Sequence, residues 1–210
     1  MPHSAQNTEI ARGVWPLGDT AATLAFGQRL GRTAPSRALV TLAGSLGAGK
    51  TTLVRGLLAG LGHTGPVRSP TYTLVEPYGA ASGSAPSTLA STLAWAAYHL
   101  DLYRLADPDE LEFLGFRDLL GDDALVVIEW PERAAGLLPP PDLHIALDLV
   151  ADQPAECDDP KPLTASVDPQ GQSGAGPVVA DGEAPRRATV VAASATGRQW
   201  LAALSQDPQS

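Results

Sequence analysis

Apolar positions fall into two rhythms along this chain. In Ala38–Ala43 and Ala124–Ile128 they run almost unbroken, as in strands buried on both faces of a parallel sheet. Leu143–Leu149 alternates apolar and polar, as a half-exposed strand does, and Ala188–Ala193 is a further strand able to pair with it. Thr71–Glu76 is rich in β-branched and aromatic residues and reads as a strand; Trp95–Asp101 reads as one ending in an acid. Val14–Leu17 reads as a short edge strand. Helical spacing appears at Ala22, Phe26 and Leu30, behind a cap at Asp19 or Thr20 and before Gly31. It returns at Leu53, Val54, Leu57, Leu58 and Leu61, closed by Gly62. Asp107, Pro108 and Glu110 make a capping-box start for a helix carrying Leu111, Leu114 and Leu119 as far as Leu120, with Gly121 ending it. Its acidic face, Asp109 and Glu112, offers a surface for a partner. Arg198–Leu204 reads as a short terminal helix.

The stretch Gly44-Ser45-Leu46-Gly47-Ala48-Gly49-Lys50-Thr51-Thr52 lies between the first buried strand and the second helix. It fits G-x-x-x-x-G-K-[ST], a phosphate-binding loop. Gly44, Gly47 and Gly49 let the backbone turn its N–H groups inward as a nest for phosphate oxygens, with Ala48 between them. The helix N-terminus that follows adds its dipole. Lys50 can reach the β- and γ-phosphates, and the Thr51 hydroxyl can hold Mg²⁺. The chain has two lysines, and one occupies the motif's lysine position. The five apolar residues before Glu129 then have the Walker B arrangement, a buried strand that carries a carboxylate to Mg²⁺. Trp130 either packs on the core or forms part of the site. Asp101 is placed either to serve Mg²⁺ and its water shell or simply to cap or be solvated. The polar residues near Thr71 either sense a γ-phosphate or form a turn feeding a strand. These elements predict an α/β protein: a P-loop NTPase-like, mostly parallel sheet flanked by helices, with a C-terminal antiparallel strand pair.

Composition changes this picture in a few places. The 210 residues, 44% of them hydrophobic, suffice for one good core, so 1–210 is read as a single domain. Residues 1–12 are polar and expected to fray. Residues 79–94, rich in Ala, Ser and Gly at the start, read as a flexible insertion; residues 151–187, rich in Pro, Gly, Asp and Ser, read as a disordered acidic one. The net charge is −9, and residues 151–185 hold seven acids against Lys161, six of those nine charges. This argues against a large basic nucleic-acid footprint. One cysteine, Cys157, excludes an intrachain disulfide and any multi-cysteine zinc site, and the four histidines show no metal-ligand spacing. No apolar signal core opens the chain and no run approaches membrane length, so a soluble cytoplasmic protein is expected.

Five stretches in one order resemble the TsaE (YjeE) family, bacterial P-loop ATPases of tRNA threonylcarbamoyladenosine synthesis. They are Gly47–Thr52, Ser69–Glu76, His99–Leu105, Glu110–Gly115 and Ile128–Pro131. The first is common to P-loops; Ser69–Glu76 and Asp101–Leu105 are specific. The resemblance covers roughly residues 14–150 and 188–204. It implies that Gly44, Gly47, Ala48, Gly49, Lys50, Thr51 and Thr52 hold ATP, and that Thr51 and Glu129 hold Mg²⁺. It implies that Asp101 supports hydrolysis beside Glu129, and that Thr71 faces the γ-phosphate from a switch-like loop. It further implies TsaB and TsaD as partners, with tRNA reached through them, and a role in resetting that complex between turnovers. Ser45 departs from the acid usual after the loop's first glycine. Residues 79–92 and 151–187 are both longer than the family leads one to expect.

Three other readings compete. A small P-loop kinase acting on a small-molecule acceptor would need an arginine-bearing lid, and none is evident. A GTPase would need Asn-Lys-x-Asp, and the only asparagine is Asn7. A binding module with a vestigial loop is opposed by intact Gly49-Lys50-Thr51 and Glu129, while Ser45 leaves it open. Nothing in the sequence marks a built-in arginine finger, so weak turnover completed by a partner is expected.

Overall fold

The computed structural model describes residues 11–71, 73–79, 96–107, 110–113, 115–121, 124–150 and 184–207. Expectations for the N-terminal arm up to residue 10, the 80–94 part of the first insertion, the 151–183 part of the acidic one with Cys157, Trp95 at a strand start and Asp109 on the acidic face lie outside these residues.

Seven strands form one sheet in the order β1-β7-β6-β2-β5-β4-β3. The buried apolar runs supply its centre: β2 (Ala38–Ala43) lies parallel to β5 (Ala124–Glu129) and to β6 (Leu143–Leu149). On the other side of β5, β4 (Ala96–Asp101) is also parallel. The edges are antiparallel: β3 (Val75–Tyr78) on β4, and β7 (Arg186–Ala192) on both β6 and β1 (Ala11–Leu17). The structure thus has the parallel core and the C-terminal antiparallel pair that the sequence pattern predicts, with β1 added beyond the pair.

Alternation along the central strands feeds two cores. Val40, Leu42, Leu125 and Val127 face one side, where they meet Leu53, Val54 and Leu57 of α2 (Lys50–Gly60) and Leu30 of α1 (Thr20–Arg32). Leu39, Val126, Ile128 and Leu100 face the other, under Leu102, Leu111 of α3 (Glu110–Phe113) and Phe116 of α4 (Phe116–Gly121). Helix α5 (Ala195–Gln206) is capped by Ser194 and buries Trp200, whose Nε1 donates to Leu30 O at 3.2 Å.

Helices α1 and α2 meet along glycines. A Cβ at Gly27 or Gly31 would collide with Leu53 O or Leu57 O, and one at Gly56 or Gly60 with Leu24 O or Gln28 O. Each helix therefore presents two glycines four residues apart to the other's backbone. This seam sets how closely α2, which carries Lys50, sits on the fold.

Four sequence expectations change. Ala11 and Arg12, expected to fray, belong to β1, where they pair with Ala192 and Val191 of β7. Thr71, Thr73 and Leu74 lie in a turn and β3 begins only at Val75: Leu74 has φ +61°, its N–H donates to Pro70 O at 2.7 Å and its carbonyl accepts from Asp101 N at 3.1 Å. The helix expected from Asp107 to Leu120 is two short ones, interrupted at Gly115, whose φ is +67°. Arg186 and Arg187 begin β7 and do not belong to the acidic insertion. Among the described residues no helix is long and apolar enough to cross a membrane.

Candidate functional site

The C-terminal ends of β2, β5 and β4 converge on one end of the sheet. There β2 passes into the glycine loop, and the loop into α2. Gly47 and Gly49 hold φ of 80° and 101°, which residues with a Cβ rarely adopt. A Cβ at Gly44 would collide with Leu147 O, so the loop lies against β6. Gly49 is the N-cap of α2 and offers no side-chain cap, so the first amides of the helix stay available for an anion.

Lys50 begins α2 and is 5% exposed. Its Nζ donates to Gly44 O at 2.7 Å and Ser45 O at 2.9 Å, and lies 3.7 Å from the centroid of the Trp130 ring. Burial lowers its pKa from the ordinary 10.5, against the opposing pull of Glu129, Glu132 and Asp101. The ammonium is thus poorly solvated, satisfied by its own loop and an indole face, and open to a stronger anionic partner. Trp130 reaches that position through a left-handed backbone, φ 60° and ψ 51°, anchored by its N–H on Leu42 O at 3.1 Å. It takes both roles the sequence left open: it packs against the second core and roofs Lys50.

Glu129 ends β5 directly beside Asp101 at the end of β4. Strand alternation turns both toward α2, with His99 two residues before Asp101 on the same face. The Thr51 hydroxyl donates to Glu129 Oε1 at 2.9 Å, and His99 Nε2 lies 2.8 Å from that oxygen. His99 and Glu129 are buried, 1% and 2% exposed, while Thr51 is half-buried at the cavity wall. Asp101 Oδ2 accepts from Thr71 Oγ1 at 2.7 Å and Ser69 Oγ at 3.1 Å, while Oδ1 accepts from the Tyr103 amide at 3.1 Å. The Ser69–Thr71 turn is therefore strapped to the end of β4.

A cavity of about 430 Å³ gathers these groups, with Lys50, Thr51, Thr71, Asp101, Glu129 and Arg186 in its wall. Gly47, Gly49 and Thr52 line it too; Gly44 and Ala48 stand behind it, Ala48 fully buried. Ser45, the departure from the family pattern, is exposed and contributes its carbonyl to Lys50.

Sequence reasoning missed two residues. His99 sits in an apolar run with no metal-ligand spacing, and only strand pairing brings it to Glu129. Arg186 closes a stretch whose acidic, Pro/Gly-rich composition reads as an insertion. Its place at the head of β7, opposite Leu149, puts it at the phosphate loop.

Comparison with known proteins follows the same outline. A family model described as threonylcarbamoyl adenosine biosynthesis protein TsaE matches residues 17–156. The TsaE of Haemophilus influenzae is 50% identical over 114 residues, which span 54% of this chain and 65% of that protein. The TsaE of Treponema pallidum is 36% identical over 130 residues, 62% of this chain and 87% of that one. The crystal structure of Bacillus subtilis YdiB superposes with a TM-score of 0.64 at 21% identity, over 94% of this chain and 96% of that one, a likeness of fold.

Proposed function

The chain belongs to the TsaE family of threonylcarbamoyl adenosine biosynthesis proteins, and on that premise we propose that it is an ATP-binding and ATP-hydrolysing accessory protein of tRNA threonylcarbamoyladenosine formation, acting in the cytoplasm. Its task is to reset a TsaB–TsaD complex between turnovers, and it meets tRNA only through that complex. One observation carries the reading: Lys50, Thr51, Asp101 and Glu129, from three separate elements, converge in one cavity against a loop with available amides.

The residues fit ATP and Mg²⁺. Loop amides and the N-terminus of α2 suit a triphosphate. Lys50 exchanges the Gly44 and Ser45 carbonyls for phosphate oxygens, an exchange favoured because burial already strains the ammonium in the free protein. Thr51 and Glu129 present two adjacent oxygens, a protein share suited to a cation that takes its other ligands from phosphate and water. His99 holds Glu129 in place from behind. Bound Mg²⁺ supplies positive charge against the charge that develops on the phosphoryl oxygens. Asp101 fixes the Ser69–Thr71 turn at the cavity, so that Thr71 would face bound phosphate and Asp101 would support hydrolysis by holding that turn in place.

The test is tRNA threonylcarbamoylation by TsaB and TsaD over several turnovers, with and without this protein and ATP. Multiple turnovers that need both, and that Lys50→Ala does not restore, are expected. Equal turnover without the protein would overturn the reading.

A further inference from the structure

We propose that Arg186, at the head of β7, is a second cation of the phosphate loop, and that it contacts the phosphate chain of the bound nucleotide beside Gly49. The inference rests on the nucleotide reading above and extends it to a residue outside the motif.

The argument begins with an unmet demand. Arg186 Nε and Nη1 are both buried from solvent, and neither has a hydrogen-bond partner among the described residues. A guanidinium stays charged under all ordinary conditions and carries five donors, so burying part of it without acceptors is costly. The side chain is not remote. It lines the same cavity as Lys50 and Thr51, and a Cβ at Gly49 would lie 3.4 Å from its Nε and 3.5 Å from its Cδ. Its stem therefore rests on the loop's last glycine, at the N-cap of α2, where free amides already favour an anion.

The carboxylates in the cavity do not meet this demand. Glu129 Oε1 is taken by Thr51 and His99, and Asp101 by Thr71, Ser69 and the Tyr103 amide. What is missing is a strong acceptor with several oxygens, lying over Gly49. A di- or triphosphate is such a group, and the planar guanidinium matches phosphate in a two-pronged geometry. The placement makes β7 part of the site: the strand that pairs with β6 also brings a charge to the loop.

The experiment is calorimetric titration of the full-length protein with MgATP, MgADP and AMP, comparing wild type, Arg186→Gln, Arg186→Lys and Arg187→Gln. Arg187 is the exposed neighbour on the same strand. Arg186→Gln should weaken both MgATP and MgADP by about 10- to 100-fold, the size of a lost charge-assisted contact. Arg186→Lys should recover part of that, and Arg187→Gln should match wild type. The melting temperature of nucleotide-free Arg186→Gln should not fall, because the free protein loses an unsatisfied donor group. Wild-type affinity in Arg186→Gln would overturn the inference, as would a loss of binding that tracks a loss of fold in both Arg186 variants. If the wild-type protein binds no nucleotide at all, the functional reading itself fails.

Discussion

The glycine seam between α1 and α2 makes a prediction whose sign runs against simple helix propensity. Alanine is favoured over glycine inside a helix by about 1 kcal/mol, so Gly56→Ala in α2 would stabilise an isolated helix. Here the new methyl would collide with Leu24 O and lie 3.0 Å from Gly27 Cα and 3.1 Å from Gln28 N. All three are backbone atoms of one turn of α1, so no side chain can swing aside and the helices must part. Overpacking of this kind costs roughly 1–3 kcal/mol, and a backbone collision belongs at the upper end. Subtracting the propensity gain leaves a net loss of about 2 kcal/mol, or a fall in Tm of about 4–8 °C for a chain of this size. Gly121→Ala, at the end of α4 with nothing within 4 Å, is the control and should leave Tm unchanged or slightly raised. Thermal unfolding followed by circular dichroism reads both variants. Because α2 begins at Lys50, the Gly56 variant should also bind MgATP more weakly, whereas the Gly121 variant should not. A Gly56→Ala protein that melts at or above wild type would refute the reasoning, since the two backbones would then have room to spare.

Further outcomes follow from the site and the sheet. Lys50→Ala should abolish measurable nucleotide binding in a titration while leaving the circular dichroism spectrum unchanged, because it removes a buried charge and no core contact. Removing residues 153–182 tests the proposal that the acidic segment stands outside the folding unit. Val150 N donates to Pro185 O at 2.8 Å, so the chain leaves and returns at one place. At about 0.6 kcal/mol per doubling of loop length, the shortening should stabilise by roughly 1–2 kcal/mol in denaturant titration; a collapse in stability would assign that segment to the core. His144 packs against Thr41 Oγ1, 2.9 Å from its Nδ1, and burial lowers its pKa below 6.5 despite the opposing charge of Glu132. Its depressed folded value means stability that is present above 6.5 and lost as pH falls through the lower folded value. Tm measured from pH 7 to pH 5 should therefore fall less steeply in His144→Gln, and equal slopes would remove His144 from the account.

Elements whose structure is local were legible in the sequence. The glycine loop, the run into Glu129 and the start of α2 depend on neighbours within a few residues, and each lies where its pattern puts it. What escaped was set by distant partners. Thr71 and Thr73 have strand-like side chains, yet the carboxylate of Asp101, thirty residues on, holds Thr71 in a turn. Gly115 breaks a helix whose apolar spacing runs straight through it. Arg186 follows a polar, proline-rich stretch, and composition cannot mark where such a stretch becomes a strand. The α1–α2 seam is written in glycines, which carry no apolar signal, so the face defined by Phe26 and Leu30 hid the contact made by Gly27 and Gly31.

The sheet order has a consequence for how the protein is made. Among the described strands, β1 precedes the phosphate loop in the chain, yet its one neighbour is β7, with Ala11 opposite Ala192. Until β7 has been synthesised, β1 lacks that hydrogen-bonding mate, and its open edge is available to other nascent chains. Translation that stops short of β7 therefore yields a fragment with a complete phosphate loop and an unmatched β1, a product suited to aggregation or to capture by chaperones.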